Sequence, residues 1–274
     1  MRHPHKSPGT TRVVSTARSF RLDGASSNKA VMLLHGFTGQ TDELRGPAEL
    51  LQQNGLTVFV PRLPGHGTNS RDFRTTGWRD WLGSATDAYL ELAAEFEDVM
   101  VGGLSMGGLI STIIAARFPV SRVALLAPAF FTTNPLVPFT PLLRFFVPPI
   151  PKTKPEEKED PVQQFLADEY WNWQWPTQTA SLYRLMRMAR RSLRHLSVPI
   201  LTVVSKKDET VPLKVARYIE KWSPSVEKKT VVLEESGHVV TTGVEKERVA
   251  ALVADWFVSD GSGSSTGLGN TPIK

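Results

Sequence analysis

The chain contains no cysteine. It therefore offers no disulfide framework, no thiolate metal site and no cysteine nucleophile, and carries no redox mark of its compartment. Long apolar runs are also missing. The N-terminus, Met1 to Gly9, is basic, but no apolar stretch follows it, so it does not read as a secretory signal. Leu136 to Ile150 is apolar around a single arginine, yet prolines break it and it is too short to cross a bilayer as a helix. A cytoplasmic protein is the resulting expectation. Histidine is scarce, at six residues, and His3 and His5 have no nearby carboxylate or further histidine to complete a metal site. The formal charge of +5 arises largely within residues 1–21 and 184–194. A bias this local favours encounter with anionic surfaces, and no nucleic-acid partner is expected.

What is present is a chain with 41% hydrophobic residues, enough to bury a substantial core. Short apolar runs predict strands at 19–22, 30–34, 57–60, 122–126, 200–204 and 231–233, with another ahead of Gly103. Between them lie helical patterns at 42–54, 78–96, 109–116, 182–194, 213–222 and 244–257. In the second of these, Trp81, Ala85, Ala88 and Leu92 share one face. Such alternation predicts an α/β fold with a mostly parallel sheet covered by helices on both sides. It stops at Pro128. Prolines 135, 138, 141, 148, 149, 151, 155 and 161, large apolar residues and the run Glu156 to Asp160 mark 129–180 as an inserted cap. The core is then 17–128 and 181–258, with a flexible tail at 1–16 and a glycine- and serine-rich, disordered tail at 259–274.

The chain is organised around Val99 to Gly108, where an apolar run meets Gly103-Leu104-Ser105-Met106-Gly107 and then a helical pattern. This setting predicts a nucleophile elbow. Gly103 and Gly107 remove Cβ atoms that would clash as strand and helix close together, and the helix N-terminus faces any negative charge formed beside Ser105. A serine hydroxyl needs a base. In this architecture the order along the chain is nucleophile, acid, histidine, which leaves His195 and His238. His195 ends the arginine-rich helix, whereas His238 lies just past the final strand and is preferred. His66, in the turn Pro61 to Gly67, is expected to hydrogen-bond within that loop. Asp208, after the strand ending at Val204, is the expected orienting acid, with Glu209 its neighbouring alternative; Asp160 and Asp168 fall in the insertion. The glycines of His35-Gly36-Phe37-Thr38-Gly39 let backbone approach a ligand, so the N–H groups of Phe37 and Met106 are the expected oxyanion donors.

The ordered set of His35 to Gly39, Pro61 to Thr68, Gly103 to Gly108, and Asp208 with His238 resembles the α/β-hydrolase family. Within it the chain looks like bacterial monoacylglycerol lipases and small carboxylesterases. The resemblance covers about Ala30 to Phe257, apart from the insertion. It implies a Ser105, Asp208, His238 triad, Phe37 and Met106 as oxyanion donors, and ester hydrolysis with no cofactor and no metal. The insertion departs from the compact caps of those lipases in its length and its proline, tryptophan and phenylalanine content. Its aromatics, Phe130, Phe131, Phe139, Phe145, Phe146, Trp171, Trp173 and Trp175, either wall an acyl pocket or join cap to core. As pocket walls, Phe130, Phe131, Phe145 and Trp175 would meet an apolar acyl chain together with Phe37 and Leu104, and part of 136–150 would face a lipid surface. Other serine chemistry on the same scaffold, such as carbon–carbon bond hydrolysis or perhydrolysis, is the alternative. A ligand-binding protein without catalysis is a further one.

Overall fold

Alternation along each strand decides which side of the sheet its residues cover. In β2 (Lys29–Leu34), Ala30, Met32 and Leu34 join one buried core, while Val31 and Leu33 join the other. The computed structural model describes residues 12–25 and 28–259. His3, His5 and most of the two expected tails lie outside the described residues. Residues 12–16 lie within them: the Val14 N–H donates to the Gly67 carbonyl, and the Thr16 hydroxyl donates to Gln40.

The chain runs β1 (Phe20–Leu22), β2, α1 (Arg45–Gln53), β3 (Thr57–Val60), α2 (Ser70–Thr75), α3 (Trp78–Glu95), β4 (Asp98–Leu104), α4 (Met106–Ala115) and β5 (Val123–Leu126). The segment expected to form a cap follows with α5 (Thr140–Leu143), β6 (Ile150–Pro151), α6 (Pro161–Leu166), a π-helical turn at Ala167–Trp171, and β7 (Trp173–Gln174), which pairs antiparallel with β6. Then come α7 (Pro176–Ser192), β8 (Ile200–Ser205), α8 (Lys214–Trp222), β9 (Lys228–Leu233) and α9 (Lys246–Val258). The main sheet has seven strands in the order β1-β3-β2-β4-β5-β8-β9, parallel except for the edge strand β1.

α1 and α9 cover one face of this sheet, and α3, α4, α7 and α8 the other. Every residue of α4 is buried, Ser111 and Thr112 included, which explains why its sequence carries no charge and no polar stripe. The helix expected at 42–54 opens instead as a 3-10 turn at Thr41–Leu44 and becomes α-helical at Arg45. α7 starts at Pro176, ahead of the expected 182, because proline suits a first helical position where no N–H is required. No helix among the described residues is long and apolar enough to cross a membrane.

Candidate active site

The C-terminal ends of β2, β4, β8 and β9 carry the loops that hold the expected residues. At the end of β4, Ser105 has φ 54° and ψ −110°, a conformation strained for a residue with a side chain. Its N–H donates to the Leu126 carbonyl at 2.8 Å, and its own carbonyl accepts from Ala129 at 3.3 Å. The two flanking glycines do different jobs. A Cβ on Gly103 would stand 2.3 Å from the backbone of Gly107, while one on Gly107 would stand 2.0 Å from the Leu34 carbonyl oxygen. Gly103 thus lets α4 fold back on its own strand, and Gly107 lets α4 lie against β2.

Ser105, Asp208 and His238 meet. His238 Nε2 lies 2.9 Å from Ser105 Oγ, and His238 Nδ1 lies 2.8 Å from Asp208 Oδ2. The Asp208 side chain is 1% exposed, that of His238 22%, and Ser105 overall 7%. Asp208 Oδ1 accepts the N–H groups of Thr210 and Val211, both at 2.8 Å, so the carboxylate is oriented from two sides. Glu209 is exposed on the same loop, and its carbonyl accepts the Thr133 hydroxyl. His195 is exposed at the end of a 3-10 turn after α7.

The loop bearing His238 is braced by a residue that sequence reasoning passed over. Glu245 Oε2 accepts the Glu235 N–H, the Ser236 N–H and the Ser236 hydroxyl at 3.0, 3.1 and 3.0 Å, and Arg248 pairs with Oε1 at 2.9 Å. Burial opposes the Glu245 charge, but these donors outweigh it and hold its pKa below the ordinary value. The Ser205 hydroxyl donates to the Ser236 carbonyl, joining the end of β8 to the same loop.

Phe37 and Met106 also flank the serine. Met106 is the first residue of α4, where a helix leaves its N–H groups without acceptors in the preceding turn. The 36–39 loop passes close by, since a Cβ on Gly36 would lie 3.5 Å from Ser105 Cβ. His35 anchors this loop. Its Nδ1 contacts the Gly36 carbonyl at 3.0 Å and its Nε2 accepts the Leu63 N–H at 3.0 Å, which assigns the proton to Nδ1. Burial lowers its pKa to about 4, so the ring is neutral. His66 is buried against it with ring centroids 4.9 Å apart, and burial takes its pKa well below the usual value too. As expected, His66 bonds within its own turn, to the Pro64 carbonyl at 3.0 Å.

The expected substrate contacts divide. Phe37 lies on the loop beside Ser105, packed on Phe73 and Trp81. Phe130 and Phe131 follow Ala129, whose N–H reaches the Ser105 carbonyl; Phe130 is buried and Phe131 packs on Tyr218. Three positions differ from expectation. Leu104 points into the core on the α1 and α9 side, because residues alternate across β4. Trp175 is buried between Phe73 and Trp173 and joins cap to core, with its indole N–H on the Tyr170 carbonyl. Phe145 is 69% exposed on the outer surface of the cap, in a cleft with Arg74 and Arg144. Among the described residues no group of three or more histidines and carboxylates is arranged to hold a metal ion.

A model of the alpha/beta hydrolase family matches residues 31–252. The chain is 31% identical over 231 residues to the thermostable monoacylglycerol lipase of Bacillus sp. (strain H-257), covering 83% of this chain and 89% of that one. It is 27% identical over 240 residues to a carboxylesterase of Bacillus subtilis (strain 168), covering 86% and 94%. A solved structure from work on the metagenome-derived lipolytic enzymes LipS and LipT is similar with a TM-score of 0.79 at 26% identity, covering 90% of this chain and 99% of that one. Because the matched stretch runs from β2 into α9 and takes in the serine elbow, the loop after β2 and the histidine loop, the chain belongs to the alpha/beta hydrolase family.

Proposed function

We propose that the protein hydrolyses carboxylic esters bearing apolar acyl chains through a covalent acyl-enzyme on Ser105. The observation that carries this reading is the pair of hydrogen-bond distances, 2.9 Å from Ser105 Oγ to His238 Nε2 and 2.8 Å from His238 Nδ1 to Asp208. Ser105 Oγ attacks the ester carbonyl as its proton passes to His238, and the imidazolium is stabilised by the buried Asp208 carboxylate. The tetrahedral oxyanion accepts from the Phe37 and Met106 N–H groups. His238 then protonates the departing alkoxide, and water, deprotonated by the same ring, releases the acid and restores Ser105. One oxyanion donor contributes about 3 kcal/mol to such a barrier.

The relatives named as monoacylglycerol lipase and carboxylesterase support an ester substrate. Leu136, Phe139, Leu142, Phe145 and Phe146, all exposed on the cap, support contact between this face and an aggregated lipid substrate. Ser105→Ala tests the mechanism. Ester turnover is expected to fall on the order of a millionfold, and labelling of the serine by an organophosphonate is expected to vanish. Retention of more than a few percent of wild-type turnover would overturn the proposal. Rates on p-nitrophenyl esters of increasing chain length, beside monoacylglycerol and triacylglycerol, read the acyl and alcohol preference.

A further inference from the structure

In the 36–39 loop, two peptide units are hydrogen-bonded in series. The Trp171 indole N–H, from the cap, donates to the Thr38 carbonyl at 3.0 Å. The N–H of that same peptide unit, on Gly39, donates to the Gly36 carbonyl at 3.1 Å. The Gly36 carbonyl shares its peptide unit with the Phe37 N–H. In a trans peptide the carbonyl and N–H point in opposite directions, so whatever holds the Gly36 oxygen also aims the Phe37 N–H. His35 Nδ1–H reaches the same oxygen from the core at 3.0 Å.

We infer that Trp171 is a positioning residue for the oxyanion donor Phe37, acting through the Thr38–Gly39 and Gly36–Phe37 peptide units. The inference rests on the proposed ester hydrolysis. Two features make the indole more than a packing contact. Thr38 has φ 58°, a left-handed backbone that a β-branched residue rarely adopts without restraint. Its hydroxyl holds the Phe37 carbonyl at 2.6 Å, and its carbonyl is held by Trp171. The indole itself is anchored, because Trp171 ends the π-helical turn Ala167–Trp171, a deformation frequent at functional sites. Within that turn the Tyr170 hydroxyl accepts the Thr68 N–H at 2.8 Å and donates to the Gly65 carbonyl at 3.1 Å. Glu169 accepts the Ser70 N–H at 2.7 Å. Hydrogen bonds in series polarise one another, so donation to Thr38 strengthens as well as orients the N–H at the far end.

Trp171→Phe keeps an aromatic ring and removes the donor. Turnover is expected to fall about tenfold, the equivalent of one net hydrogen bond at the transition state, with KM unchanged. In protein labelled with 15N-phenylalanine, the Phe37 amide proton is expected to move upfield while the other phenylalanine amides stay in place. A raised KM with unchanged kcat would make Trp171 a pocket wall and overturn the inference. A spectrum displaced throughout would overturn it as well, because the loss would then come from a loosened cap. If the wild-type protein cleaves no ester, the proposed function fails, and the Phe37 amide shift still decides the relay.

Discussion

Asp208 shows how much one side chain can be asked to do. Its two oxygens receive the Thr210 and Val211 N–H groups and face His238 Nδ1, which leaves the carboxylate a single orientation. Asp208→Asn replaces an acceptor with an amide whose NH2 can face Nδ1. The imidazole proton would then move to Nε2, and the ring could no longer accept from Ser105. Turnover is expected to fall about ten-thousandfold while the far-UV circular dichroism and melting temperature stay near wild type. A loss of less than about tenfold would mean that this carboxylate does not set the tautomer. The residue was legible because the loop after the strand ending at Val204 carries adjacent acids, Asp208 and Glu209. Asp208 is preferred over its neighbour, and the structure turns Asp208 inward to His238 while Glu209 stays exposed, since neighbours on a loop diverge. Glu245 and Trp171 were not legible. Their partners lie in other segments, and no local spacing announces a carboxylate that braces backbone or an indole that caps a carbonyl.

At the scale of elements, periodicity located the core strands and long helices and said little about the cap. α5, α6 and the β6–β7 pair of the cap, like α2 in the core, are too short to impose a stripe on the sequence. α2 and α6 are fixed instead by Asn69 and Asp160 as N-caps. The cap's aromatics separate into two groups that the sequence leaves mixed. Trp175 and Tyr170 are buried and join cap to core, whereas Phe139, Phe145 and Phe146 are 61%, 69% and 78% exposed. The outer group sets an expectation for Phe139→Ser with Phe146→Ser. Burying a phenylalanine side chain contributes about 1.5–3 kcal/mol, so turnover of an emulsified long-chain ester is expected to fall at least tenfold. Turnover of a dispersed short-chain ester should not change. Equal losses on both substrates would show that these rings serve the fold rather than a lipid surface.

Over the whole molecule, two neutral histidines pack edge to face and fully buried in the loops that follow β2 and β3. His35 is held to a pKa of about 4 and His66 well below the ordinary value, both chiefly by burial. Unfolding restores a histidine pKa near 6.5. Below that pH and above the folded values, the unfolded chain binds more protons than the native one, so stability falls as pH falls. The slope is about 1.4 kcal/mol per pH unit for each histidine that must take up a proton. Glu43, raised to about 8 by burial, works the other way down to the ordinary carboxylate value of 4.5, because there the native chain holds the extra proton. Urea midpoints are therefore expected to drop from pH 6.5 toward pH 4, most steeply below about pH 4.5. His66→Phe, which replaces a ring whose Nε2 has no hydrogen-bond partner, should make that drop shallower. An unchanged slope would show that other groups control acid unfolding. Protonation of His35 leaves its Nδ1–H on the Gly36 carbonyl but takes from Nε2 the lone pair that accepts the Leu63 N–H, so acid loosens the contact between this loop and the Leu63 turn.

The residues themselves determined the alternating α/β core, the serine elbow and the order of its partners, because strand period, glycine spacing and chain order are local or linear properties. Only the tertiary structure decided which aromatics face inward, that Glu245 braces the loop bearing His238, and that a tryptophan of the cap holds the loop beside Ser105. Those outcomes depend on packing between segments distant in sequence, where direction in space rather than residue type selects the contact.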